Sequence, residues 1–122
     1  YLQLLEMRIK HLEYGKAQLV MPIKASKHTN LYGVAHGGAV ASLADTVMGV
    51  ACATYGNRVV TIEMNINYIK SGQPGADIIG SSEVIHAGRQ TMVVEGEIRD
   101  QQGILLAKSR GTYCVIGRFD KD

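Results

Sequence analysis

The run His36–Asn57 constrains this chain more than any other stretch. Across it stands a single carboxylate, Asp45, and no Lys or Arg. Ala and larger apolar residues fill nearly every other position, so a helix over this run is apolar on most faces and must be enclosed on most sides. Its length is near the lower limit for a membrane span, and a carboxylate close to the middle argues against one. Gly37 and Gly38 open the helix, where backbone N–H groups lack internal partners, and Gly56-Asn57 supplies a stop.

The remaining chain has to build the enclosure, and it reads as strand. Residues 58–70 alternate: Val60, Ile62, Met64, Ile66 and Tyr68 are expected on one face, Thr61, Glu63, Asn65 and Asn67 on the other. Residues 76–87, 90–100 and 104–116 follow as strands, separated by Ser71–Gly75, Gly88 and the hairpin Asp100–Gly103. In the third of these, Met92, Val94 and Ile98 point inward. In the last, Ala107, Ser109 and Gly111 form a small-residue face that lets a helix approach closely. Ahead of the helix, 6–12 and 16–23 make a hairpin closing near Tyr14-Gly15, and 24–35 is irregular. Two strands, one helix and four strands with short links favour antiparallel pairing, an α+β class with a curved sheet around one central helix. At 122 residues the chain is one domain, 1–122, with short irregular ends at 1–5 and 117–122.

Composition removes several function classes. Thirteen basic residues nearly balance eleven acidic ones without a basic run, and Trp is absent, so no nucleic-acid partner is expected, and no membrane partner. Cys52 and Cys114 form no C-x-x-C pair and sit among apolar neighbours, as buried small hydrophobes do. His11, His28, His36 and His86 show no metal spacing; neither metal nor cofactor is expected. Ser42 lacks a G-x-S-x-G context. No secretory leader opens the chain at Tyr1, which suggests a cytoplasmic location.

Asp45 is the first candidate for chemistry. Its helical neighbours Ala41, Ser42, Met48 and Gly49 carry no cation, so another segment must partner it or it faces a cleft. The turn at His36-Gly37 is the second, because free N–H groups at the positive end of a helix suit a developing oxyanion; an ordinary helix start is the alternative. Nine residues separate His36 from Asp45, which at ~100° and ~1.5 Å per residue puts them on opposite faces about 13.5 Å apart. They cannot serve one reaction centre within one chain. Two copies with antiparallel helices could bring them together, giving a two-fold dimer with two identical shared sites.

The stretch Asn30-Leu31-Tyr32-Gly33-Val34-Ala35-His36-Gly37-Gly38, with Asp45 nine positions after the His, resembles the signature of hotdog-fold acyl-CoA thioesterases, in particular the PaaI-like branch acting on phenylacetyl-CoA and related aryl- or acyl-CoA substrates. Met64–Tyr68, Gly88-Arg89-Gln90 and Asp100–Gly103 share the likeness, which covers roughly residues 6–116. The resemblance implies that Asp45 acts as general base on water, or as nucleophile. Gly37 N–H from the partner subunit would polarise the thioester carbonyl, with Gly38 beside it in the substrate site. Asn30 would hold that carbonyl or the water. His36 would lie near the leaving sulfur or brace the loop. Thr61 falls where relatives position the water with a Ser or Thr, although strict alternation puts it on the polar face with Glu63. CoA phosphates need cations: Arg89 beside Gly88 is the foremost candidate, then Arg58, with Lys70, Lys108 and Arg110 behind. The implied assembly is a homodimer with shared active sites, extended to a homotetramer. Alternatives are a hotdog hydratase or dehydratase, or a non-catalytic acyl-CoA sensor.

Overall fold

A computed structural model of the chain describes residues 3–31, 33 and 36–119. Its elements follow the order β1 (Arg8–Glu13), β2 (Lys16–Pro22), α1 (Gly37–Ala53), β3 (Asn57–Tyr68), β4 (Asp77–Ala87), β5 (Thr91–Asp100) and β6 (Leu105–Arg118). The six strands form one antiparallel sheet in the order β1-β2-β4-β5-β6-β3. Thus β2 and β3, which flank α1 in sequence, lie four strands apart, about 19 Å at ordinary strand spacing. The helix spans that gap diagonally: Tyr68 Oη donates to Gly37 O at its start, and Gly15 N donates to Thr54 Oγ1 at its end. No helix of the described residues is long and apolar enough to cross a membrane.

The apolar run closes the core as expected. Leu43, Ala44, Val47, Met48, Ala51 and Cys52 are fully buried against Leu19, Met21, Ile78, Met92, Val94, Ile98 and Ala107. Burial pushes the Cys52 thiol up to about 11, whereas Cys114 is only partly covered, contrary to the expectation of two buried thiols. The small-residue face on β6 does let the helix come close. It is extended by glycines on the neighbouring strands: a Cβ on Gly80 would stand 3.2 Å from Leu43 Cγ, and one on Gly96 2.8 Å from Ser109 Oγ and 3.2 Å from Met48 Cγ. Gly96→Ala is therefore expected to lower stability by about 1–2 kcal/mol, overpacking outweighing the smaller backbone-entropy gain. A urea melt with a lower midpoint and unchanged slope would register it; an unshifted midpoint would mean the helix yields at no cost.

The structure departs from the sequence reading at the end of β6 and within β3. Strand β6 continues through Gly117 and Arg118, which pair with Arg58 and Asn57. More consequential is a bulge in β3, where pairing passes from Thr61↔Tyr113 to Glu63↔Thr112 and leaves Ile62 unpaired. An extra residue reverses the side-chain phase on either side of it. Met64 and Ile66 pack on the core as the alternation implies, but Val60 and Ile62 are 48% and 57% exposed, and it is Val59 and Thr61 that turn towards α1.

Candidate active site

The bulge brings Thr61 to the helix carboxylate. Thr61 Oγ1 donates to Asp45 Oδ1 at 2.9 Å. From β6, Tyr113 Oη reaches the same oxygen at 2.7 Å and the Asp45 backbone carbonyl at 3.0 Å. The helix acid is thus half-buried and held by two neutral hydroxyls. No ion pair of the described residues includes Asp45, and no described group bonds Oδ2. Burial, reinforced by the adjacent carboxylate, holds the Tyr113 phenol far above its ordinary range, so it stays a donor.

A second cluster forms at the start of α1. His36 is the N-cap, with extended backbone (φ −66°, ψ 133°) and its Nδ1 accepting from Gly38 N at 2.8 Å. Gly37 O accepts from Tyr68 Oη at 2.8 Å, so the 37–38 peptide is clamped on both sides. The preceding N–H, that of Gly37, has no hydrogen-bond acceptor among the described residues and carries the positive end of the helix dipole. Asn30, Gly37, Val40, Tyr68 and Lys70 line one cavity of about 320 Å³ beside it. Buried His28 secures the loop bearing Asn30: its Nδ1 accepts from Lys24 N, its Nε2 donates to Leu5 O, and its carbonyl accepts from His36 N. Tyr32, Val34 and Ala35 of the signature lie outside the described residues.

The structure therefore unites Asp45 with Thr61, and Asn30 with Gly37, His36 and Gly38, but keeps the two groups apart. Eight helical steps from Gly37 to Asp45 amount to about 12 Å of rise. His36 caps the helix start through Nδ1. Arg89 is exposed in the turn after Gly88, which is closed by Gly88 N to Thr91 O; Arg58 is exposed with its guanidinium 5.6 Å over the Phe119 ring. Both belong to the end of the sheet where α1 finishes, since Thr91 pairs with Cys114 and Arg58 with Gly117. Lys108 and Arg110 pair with Glu97 and Glu95 on β5, on the exposed face of the sheet. Tyr113 escaped the sequence reading although its parity with Ala107, Ser109 and Gly111 points it inward. Tyr68 was placed correctly on the inner face, but its bond to Gly37 was not foreseen.

Comparison with known proteins bears on this geometry. The thioesterase superfamily profile matches residues 32–107. The acyl-coenzyme A thioesterase PaaI of Escherichia coli is 33% identical over 87% of this chain and 75% of its own. Its structure, described as from the phenylacetic acid degradation operon, superposes with a TM-score of 0.92 at 32% identity, over 96% of this chain and 84% of that one. The 1,4-dihydroxy-2-naphthoyl-CoA hydrolase of the same organism is 30% identical over 92% of this chain and 83% of its own. A Streptococcus pneumoniae hypothetical thioesterase solved with coenzyme A superposes with a TM-score of 0.88 at 29% identity, over 92% and 90% of the two chains.

Proposed function

Because the chain belongs to the thioesterase superfamily and has its hotdog fold, we propose that it is an acyl-CoA thioesterase, converting an acyl- or aryl-CoA and water to a free acid and CoA. The observation that carries this reading is the Asp45 carboxylate, bonded on one oxygen by Thr61 and Tyr113 and on the other by no group among the described residues. Asp45 Oδ2 takes a proton from water, which attacks the thioester carbon. The carbonyl oxygen, becoming an oxyanion, is received by the N–H of Gly37 of the partner subunit, with Asn30 of the partner subunit beside it. Collapse breaks the C–S bond, and the thiolate leaves with the proton returned. A thioester is reactive enough for these groups to suffice, so the reading calls for no metal or cofactor. Arg89, and Arg58 with it, would meet the CoA phosphates.

Shared sites follow from the separation of the two clusters and from the free edge of β3. That strand ends the sheet, pairs only with β6 among the described strands, and exposes Val60 and Ile62 beside the bulge. A second copy added edge to edge about a two-fold axis continues the sheet and sets the helices antiparallel, with each Gly37 turn near the other chain's Asp45. A homodimer is the smallest active unit in this reading, and two dimers would make the homotetramer. A cytoplasmic site of action rests on the substrate class. Similarly, the S. pneumoniae relative has been solved with an aspartate and, separately, a threonine changed to alanine, at the same sequence separation as Asp45 and Thr61.

The test is release of free thiol from a panel of acetyl-, hexanoyl-, palmitoyl-, benzoyl- and phenylacetyl-CoA. Turnover of at least one, with acid and thiol formed in equal amounts, is expected. Tight binding without turnover across the panel would replace the reading with a sensor.

A further inference from the structure

Resting on the reading of Asp45 as the base, we propose that Tyr113 is the positioning residue of the reaction: its hydroxyl fixes the Asp45 carboxylate so that Oδ2, and not Oδ1, faces the water. Tyr113 and Thr61 are direct cross-strand neighbours, and the bulge after Thr61 is what lets both donate into one carboxylate oxygen. Tyr113 does more than Thr61. Its hydroxyl lies within hydrogen-bond distance of both Oδ1 and the carbonyl of the same residue, tying the side chain of Asp45 to its own backbone and limiting its rotation. Satisfying a buried phenol needs only the carbonyl; the shorter bond goes to the carboxylate.

The ring itself has little freedom. It is 2% exposed, and the glycine two residues before it makes its room: a Cβ on Gly111 would stand 2.9 Å from Tyr113 Cε1. A rigid donor on a rigid strand therefore sets the direction of the helix acid, and small displacements of a reacting group are costly in rate. The hydrogen bonds of the Tyr113 hydroxyl go to Asp45, and its effect on the reaction runs through that carboxylate.

The experiment compares Tyr113→Phe with Asp45→Asn and the unchanged protein, on the panel thioester turned over fastest, together with a crystal structure of Tyr113→Phe. Phe keeps the ring and removes the hydroxyl. We expect kcat to fall about tenfold with KM within about twofold, since the carboxylate and not the acyl pocket is disturbed. The structure should show Asp45 turned off Thr61 or split between two rotamers. A kcat within twofold of the parent overturns the inference, and so does a carboxylate that keeps its place. If Asp45→Asn is inactive in either case, the base reading stands and this inference alone has failed; if Asp45→Asn turns over normally, both fall. Should Tyr113→Phe not fold, Gly111→Ala displaces the ring instead and is read the same way.

Discussion

Asp45→Asn is expected to lower kcat by about three orders of magnitude, the range for losing a positioned general base. Asn keeps the volume and an oxygen able to accept from Thr61 and Tyr113, so the helix and its packing should survive. What disappears is the proton acceptor on the other oxygen. Since Asp45 has no cationic partner among the described residues, the substitution leaves no charge stranded in the core. Thiol release and a thermal melt on the same sample separate the two effects: a near-parental melting temperature with turnover almost gone is the expected pair. Activity within tenfold of the parent would remove Asp45 from the chemistry.

Gly37→Pro carries the second large effect. It deletes the one N–H assigned to the oxyanion, and the local backbone suits it. Proline is favoured at the first helical position, and the residue before a proline prefers extended backbone, which His36 already has at ψ 133°. A Cβ at position 37 would meet the Tyr68 ring at 3.5 Å, an ordinary contact, and the His36 cap on Gly38 N is untouched. Loss of an oxyanion donor should cost about 10²–10³ in kcat. Gly37→Ala retains the N–H and should lose far less. Equal losses in the two variants would shift the blame from the donor to crowding at the cavity.

Much of this was legible in the residues, and the gaps have physical causes. The helix announced itself through a long uncharged run, and the strands through alternation, because an enclosed helix and a one-sided sheet demand those patterns. The bulge left no such mark. Thr61-Ile62-Glu63 reads as unbroken alternation, and only the pairing with β6 shows that Ile62 is surplus. Parity therefore turned Thr61 away from Asp45, while the family likeness turned it towards the site, and in the structure its hydroxyl donates to Asp45. The ion pairs of Lys108 and Arg110 were not legible either, because charges two apart on a strand reveal nothing of what stands on the neighbouring strand, here Glu97 and Glu95. Tyr113 was the avoidable omission, one step further along a small-residue series already recognised.

The two halves of the proposed site stand in different parts of each chain, and subunit exchange addresses that directly. Asp45→Asn and Gly37→Pro proteins, each inactive, are mixed under conditions that allow exchange, and native mass spectrometry confirms that mixed dimers form. A mixed dimer would hold one site with both defects and one with neither, so a random equal mixture should regain about a quarter of parental activity. Mixed dimers with no recovered turnover would mean that Asp45 and Gly37 do not meet across a subunit boundary.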